Sequence, residues 1–184
     1  MIVTMLAAWF VVASPPAMPD PPAPVASELL TIAERSGYRA TSSHADVVAQ
    51  LDAIAARYPI ARRVRMGTTH EGRDIPVLVI ADPPVGSAEE ARLAASNGRP
   101  TVLLFGNIHA GECDAKEALG ILARQLVEGD PIVRSLVVAI APIYNADGNE
   151  RVGPTAVHRP GQVGPEQGCG VRENAQGLDL NRDF

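Results

Sequence analysis

The sequence predicts an α/β fold, with a mixed, largely parallel sheet that has helices on both faces. Two observations support this fold class. Apolar runs typical of buried strands alternate along the chain with segments whose apolar residues recur at helical spacing. In addition, 46% of the 184 residues are hydrophobic and 20% are charged, which suffices for one packed core and excludes a mainly disordered chain.

The N-terminal stretch predicts an export signal followed by a spacer. Residues 2–13 are apolar apart from Thr4, which suits a signal-peptide core and is too short for a stable membrane span. Six prolines between positions 15 and 24 indicate an extended spacer. Residues 1–26 are therefore expected to precede a folded domain over 27–184. No Lys or Arg occurs before Arg35, so an amphiphilic tail or a short buried element stays open as the alternative.

The first regular elements are a helix and a hairpin. Residues 43–58 have helical periodicity, Ser43 and Asp46 form a capping-box pattern, and Pro59 ends the helix. Two strands joined by a turn at residues 71–73 follow, the second being a continuous apolar run. A polar connection over 82–99, with room for a short helix, leads to the next strand.

Two further strands and a helix complete the predicted core. Thr101–Phe105 (TVLLF) is apolar on both sides, which predicts a covered parallel strand. Residues 114–128 predict a helix ended by Gly129, and residues 135–143 another buried strand. The helix is expected to face the core with the following apolar side chains: Ala115, Ala118, Leu119, Leu122 and Leu126.

The last part of the chain predicts a functional loop. Residues 145–177 are rich in Gly and Pro, and a loop of this length in a compact domain is usually functional or disordered. Residues 178–184 resume a strand-like pattern. In an extended segment Asp179 and Asn181 would share one face, with Leu180 on the other.

Charge and cysteine content limit the possible binding partners and the possible disulfide bonds. A net charge of −5 with 4% aromatic residues and no basic stripe argues against nucleic-acid binding. The two cysteines, Cys113 and Cys169, could pair in an exported protein, but two free thiols are an equal alternative.

Polar side chains follow two consecutive strands. His109 and Glu112 come just after Thr101–Phe105, while Asn145 and Asp147 follow the next strand. Ligand sites in open α/β sheets lie beyond the carboxyl ends of the strands, so these residues should share one edge. A histidine and a carboxylate at such a corner can bind zinc. The alternative is a surface histidine beside a glutamate that favours a helix N-terminus.

The C-terminal segment adds groups that suit this chemistry. Asp179 could accept a hydrogen bond from His109 and fix its tautomer. Asn181 and Arg182 could bind a carboxylate, and Arg172 supplies another positive charge.

Taken in order, four segments resemble the zinc carboxypeptidase family, of the A/B and E/D type: EGRDIPVLVI, GNIHAGE, PIYNADGNER and VRENAQGLDLNRDF. The similarity covers about residues 64–184, with Ala146 where the family has a proline. This resemblance implies a zinc-dependent enzyme that hydrolyses a peptide bond next to a free C-terminal carboxylate.

The resemblance also implies roles for individual residues. His109 and Glu112 would bind zinc, and Asp179 would support His109. Arg172 would polarise the scissile carbonyl and stabilise the oxyanion. The terminal carboxylate of a peptide or peptide-like substrate would bind to Asn181 and Arg182.

The family pattern also includes a third zinc-binding histidine, a tyrosine and a general-base glutamate beyond the Asn-Arg segment. The sequence reaches Phe184 before these positions, so we expect the N-terminal part of a catalytic domain, with little peptidase activity of its own and an exposed apolar sheet edge. His158 is expected to be a loop or cleft residue and Cys113 a packing residue. Glu150, Glu166 and Glu173 are expected to be solvated loop carboxylates. His44 and His70 are expected to be surface residues.

Two alternatives stay open at this point. A related zinc amidase or deacylase of cell-wall peptides or N-acyl amino acids would use the same residues. A peptidase-like module that binds without catalysis is the second alternative.

Overall fold

The structure is a computed structural model and describes residues 25–182. The predicted signal and spacer lie almost entirely outside the described residues, as do positions 183 and 184. Within 25–182, no helix has both the length and the apolar character that crossing a membrane requires.

In the described part of the chain, a four-stranded sheet organises the fold. Its strands are β1 (Ala61–Thr68), β2 (Asp74–Ile80), β3 (Thr101–Phe105) and β4 (Val137–Ala141), in the order β1-β2-β4-β3. The mixed α/β class is confirmed. Among the described strands, however, β1–β2 and β2–β4 are antiparallel and β3–β4 is parallel, which corrects the expectation of a largely parallel sheet. The reason is that the β1–β2 hairpin adds to β4 in the antiparallel sense.

Within residues 25–182, four helices of five or more residues surround the sheet: α1 (Ile32–Ser36), α2 (His44–Arg57), α3 (Ala88–Ser96) and α4 (Asp114–Val127). The side chains of Leu78 and Ile140 pack with α2 and α4, whereas Val79 and Val137 pack with α3. Alternate residues of a strand point to opposite faces, so helices cover both faces as predicted.

The predicted start of α2 is confirmed. The Ser43 hydroxyl accepts from the Asp46 amide, and the Asp46 carboxylate accepts in return from the Ser43 amide. The helix ends at Arg57, just before Pro59, because proline cannot continue the hydrogen-bond ladder.

Strand β3 is more exposed than its apolar composition predicts. The exposed fractions of Val102, Leu103 and Phe105 are 37%, 49% and 40%. Because these side chains are exposed, the prediction of a strand covered on both faces is wrong. Among the described residues, β3 is also an edge strand that pairs only with β4. The expected exposed apolar edge is confirmed at this strand.

Helix α4 packs on the core only partly as its apolar pattern predicts: Leu126 is buried, and Leu119 and Leu122 are partly buried against the core. Ala115 and Ala118 are exposed, whereas three charged residues are buried: Lys116, Glu117 and Arg124. Arg124 binds the Glu34 carboxylate through both terminal nitrogens, at 2.7 and 2.9 Å. Polar partners from the segment before α2 therefore decide how α4 is rotated.

Lys116 is the only lysine of the chain, and its side chain is almost completely buried, with 1% exposed. Its ammonium group donates to the Ser42 carbonyl and, at 2.5 Å, to Asn149 Oδ1. Burial lowers the pKa of Lys116 because the charged form is poorly solvated.

An amine-acylating reagent should therefore leave Lys116 unmodified in the native protein. The expected result is no acylation of Lys116 under native conditions and modification of Lys116 only in denaturant. Mass spectrometry of the peptide that contains Lys116 measures the difference. Native acylation at the rate of a free lysine would show that this side chain is accessible.

The C-terminal segment is not a strand. Leu180–Arg182 forms a 3₁₀ turn, and the Asp179 side chain accepts from the Asn181 amide at 3.0 Å. An aspartate that binds the backbone two residues ahead favours a turn over extended chain. The prediction that Asp179 and Asn181 share one face of a strand is therefore wrong.

Candidate functional site

The site lies at the carboxyl ends of the parallel pair β3 and β4, as predicted. The segments that follow these strands run side by side, because the Tyr144 amide donates to the Gly106 carbonyl at 3.0 Å and the Asn145 amide donates to the Asn107 carbonyl at 3.1 Å. This pairing extends the sheet edge and fixes the start of the segment that carries His109.

His109 is at the centre of the site. Its side chain is buried, and a turn closed by the Glu112 amide and the His109 carbonyl brings the two residues together just before α4. His109 Nδ1 is 3.1 Å from Glu112 Oε1, and His109 Nε2 is 2.8 Å from Asp179 Oδ1. Three of the predicted site residues therefore meet, although Asp179 is 70 positions from His109 in sequence.

Arg172 completes this cluster. Its Nε and Nη2 donate to Asp179 Oδ2 at 3.1 and 2.8 Å, and its Nη1 is 3.2 Å from His109 Nδ1. The hydrogen bond from His109, together with the Arg172 guanidinium, holds the pKa of Asp179 well below its usual range. Asp179 is thus a stable anion between an imidazole and a guanidinium.

The His109–Glu112 pair fits two positions of a zinc site. If Nε2 carries the ring proton toward Asp179, Nδ1 is left as a lone-pair donor on the side of Glu112 Oε1. Zinc bonds of ordinary length at a tetrahedral angle separate ligand atoms by roughly 3.3 Å, close to the observed spacing. Within residues 25–182 there is no group of three or more His, Cys, Asp or Glu side chains that could hold a metal.

Asn181 and Arg182 lie at the edge of the cluster. Both are exposed, and Arg182 Nη1 donates to the Asn181 carbonyl at 2.7 Å. Among the described residues, neither side chain bonds to His109, Glu112 or Arg172. The backbone amide of Asn181 bonds to Asp179, but the side chains of Asn181 and Arg182 stay outside the contacts of His109, Glu112 and Arg172.

The remaining candidates have other contacts. A ring nitrogen of His158, Nδ1, is 2.8 Å from the Cys169 carbonyl oxygen, and Glu150 accepts from the His44 amide at 2.8 Å. His44 is partly buried against the carbonyl of Asp74, which corrects its prediction as a surface residue, whereas His70, Glu166 and Glu173 are exposed or partly exposed. Cys113 and Cys169 are both free and buried, and burial raises the pKa of the Cys113 thiol.

Asp147 binds the hairpin turn. It is 2% exposed and accepts from Thr69 Oγ1 at 2.7 Å, the Glu71 amide at 3.1 Å and Arg73 Nη1 at 2.7 Å. Burial alone would raise the pKa of Asp147, but these donors outweigh it and lower the pKa. Asp147 therefore ties the turn predicted at residues 71–73 to the segment after β4.

Asparagines that sequence reasoning did not single out support the His109 segment. Asn107 has a left-handed backbone, with φ of 59°, and its Nδ2 donates to Asn149 Oδ1 at 3.1 Å. Asn149 Oδ1 is also bound by Lys116. The tolerance of asparagine for this backbone region was the one local signal for Asn107.

Arg159 is a second residue that sequence reasoning missed. Its Nη1 is 2.9 Å from Glu112 Oε1, the same oxygen that faces His109. An arginine in an irregular loop far from Glu112 in sequence gives no pattern that would reveal this contact.

Comparison with known proteins identifies relatives of the chain. The family model described as "Zinc carboxypeptidase" matches residues 47–184. Mouse (Mus musculus) carboxypeptidase D is 36% identical over 151 residues, covering 73% of this chain and 11% of the relative; mouse carboxypeptidase Z is 34% identical over 151 residues, covering 77% and 21%. The chain thus spans a small part of these relatives.

Solved structures show the same fold. Bovine thrombin-activatable fibrinolysis inhibitor, in complex with tick carboxypeptidase inhibitor, matches with a TM-score of 0.56 at 17% identity, over 80% of this chain and 44% of that one. Carboxypeptidase A from Helicoverpa armigera matches with a TM-score of 0.55 at 23% identity, over 78% and 33%.

Proposed function

We propose a metallocarboxypeptidase function on the premise that the chain belongs to the zinc carboxypeptidase family, as the match over residues 47–184 establishes. The proposed reaction is hydrolysis of the peptide bond next to a free C-terminal carboxylate. His109 and Glu112 would hold the metal, and a bound zinc ion would supply a Lewis acid and an activated water. The chain covers 11% and 21% of the length of the two relatives named above. The activity of the whole protein is therefore part of what we propose.

The observation that carries the proposal is the convergence of His109, Glu112, Arg172 and Asp179. They come from two distant segments, yet both ring nitrogens of His109 are within 3.2 Å of a charged partner. A surface histidine with no function would not need a buried ring that contacts two carboxylates and a guanidinium.

In the proposed function each neighbour of His109 has a distinct role. Asp179 holds the Nε2 proton, so that Nδ1 stays available on the side of Glu112. The Arg172 guanidinium donates two hydrogen bonds to Asp179 and would stabilise negative charge that develops on the substrate carbonyl oxygen. Asn181 and Arg182 are exposed, which supports a role in binding the substrate carboxylate.

The amidase and deacylase alternatives would use the same residues. No contact within residues 25–182 favours them or the non-catalytic alternative. Export remains a prediction that rests on residues 2–13.

The function is tested by zinc binding to the 184-residue chain, measured by calorimetry and by the shift of the His109 ring signals in NMR. We expect His109→Ala and Glu112→Ala each to weaken zinc binding at least about tenfold, because each removes one of the two ligands. His70→Ala, which alters an exposed histidine in the hairpin turn, is the matched control. Unchanged binding in His109→Ala would contradict the proposal.

A second arm tests the substrate class. With zinc present, a peptide that ends in a free carboxylate should bind at least about tenfold more tightly than the same peptide with an amidated end, because the amide removes the charge-assisted hydrogen bonds. Equal binding of the two peptides would argue against recognition of a terminal carboxylate.

A further inference from the structure

Arg159 contacts the candidate metal site from a loop that the proposed function does not use. Its Nη1 is 2.9 Å from Glu112 Oε1, while its Nε donates to Gln162 Oε1 at 3.0 Å. The side chain is 29% exposed, so this ion pair is partly shielded from solvent. The Arg159 guanidinium therefore binds Glu112 Oε1, the same oxygen that faces His109.

The loop is anchored where it passes the site. A Cβ atom on Gly111 would lie 3.4 Å from the His158 carbonyl oxygen and 3.2 Å from the Gly170 carbonyl oxygen, so the absence of a side chain lets both segments approach. A backbone bridge joins Gly153 to Cys169 and closes the loop behind Arg159. The position of Arg159 is consequently fixed by the surrounding backbone on both sides.

The charges of the cluster balance in this arrangement. Glu112 and Asp179 are two carboxylates, and Arg159 and Arg172 are two guanidiniums bound to them. His109 Nδ1 and Glu112 Oε1 are acceptors 3.1 Å apart, and each has its own guanidinium nitrogen nearby, at 3.2 and 2.9 Å. A divalent cation shared by these two acceptors would add positive charge next to Arg159 and compete for Oε1.

We propose that Arg159 is a positioning residue of the metal site: it neutralises Glu112 and competes with a divalent cation for Oε1, so that it lowers metal affinity and links metal binding to the loop over residues 155–162. This inference rests on the proposed function, because it takes His109 and Glu112 as the metal ligands. Removing the Arg159 guanidinium also removes a contact that orders Glu112. The gain in metal affinity should outweigh that loss, because the turn to His109 still restrains the Glu112 carboxylate.

The test compares zinc affinity, by calorimetry, in the 184-residue chain and its variants. Arg159→Gln removes the charge and should bind zinc about three- to tenfold more tightly. Arg159→Lys keeps the charge and should stay within about twofold of the unaltered chain. Arg134→Gln removes the same charge from an exposed ion pair before β4, at the opposite edge of the sheet, and should change nothing.

A second readout follows the loop itself. The Gln162 amide donates to the Arg159 carbonyl at 3.3 Å, so zinc should speed hydrogen exchange at Gln162 in the unaltered chain and have no such effect in Arg159→Gln. Equal or weaker zinc binding by Arg159→Gln would overturn this inference and leave the proposed function intact. Zinc binding that is indifferent to His109→Ala would instead overturn the proposed function.

Discussion

Replacing Glu117 with alanine is expected to lower the free energy of unfolding by about 3–5 kcal/mol. The Glu117 carboxylate is buried in α4 and accepts from the Ser42 amide at 2.6 Å, the Thr41 hydroxyl at 2.7 Å and the Ala33 amide at 3.3 Å. Ala33 is in the first turn of α1, where amides have no partner within the helix. Alanine would leave two amide groups without an acceptor and would remove a buried negative charge that interacts with Lys116.

Urea unfolding followed by circular dichroism measures the loss. Gln125→Ala changes an exposed residue of the same helix and should cost less than about 0.5 kcal/mol. Glu117→Gln should fall between the two, because one oxygen still accepts while the new amide group faces donors. A cost for Glu117→Ala as small as that of Gln125→Ala would show that the segment before α2 does not depend on this carboxylate.

A comparison of α2 with α4 shows which parts of the fold could be predicted from the sequence. The start of α2 depends on Ser43 and Asp46, three positions apart, and such local chemistry is visible in the sequence. The rotation of α4 depends on partners that are 75 and 90 positions away from Glu117 and Arg124, and these partners appear only in the folded chain. Apolar spacing therefore predicted the core contacts of Leu119, Leu122 and Leu126 but not the burial of Glu117 and Arg124.

The same difference between local and distant contacts applies to the candidate site. His109 and Glu112 were predictable because they are close in sequence and follow a strand. The contact between His109 and Asp179 was predicted from the family resemblance and from the chemistry of a carboxylate beside an imidazole, yet the extended geometry assumed for it was wrong, because Asp179 caps a turn. Arg159 had neither a local pattern nor a motif.

Replacing Asp179 with asparagine is expected to weaken zinc binding by about 10- to 100-fold, the usual effect of removing the carboxylate that supports a ligand histidine. Asp179 Oδ1 is 2.8 Å from His109 Nε2, and an anion there holds the ring proton on Nε2. An amide can turn either its oxygen or its NH₂ group toward the ring, so the tautomer with Nδ1 available is no longer enforced. The Arg172 guanidinium would also lose its anionic partner beside Nδ1.

This substitution separates electrostatics from folding. Asparagine keeps a side-chain oxygen that can accept from the Asn181 amide, so the turn at Leu180–Arg182 should survive. Asp52→Asn is the matched control, because Asp52 is an exposed carboxylate that pairs with Arg63 at 3.5 Å, away from the site. Calorimetric zinc affinity for Asp179→Asn within about threefold of the unaltered chain, with the melting temperature unchanged, would show that His109 presents Nδ1 without help from this carboxylate.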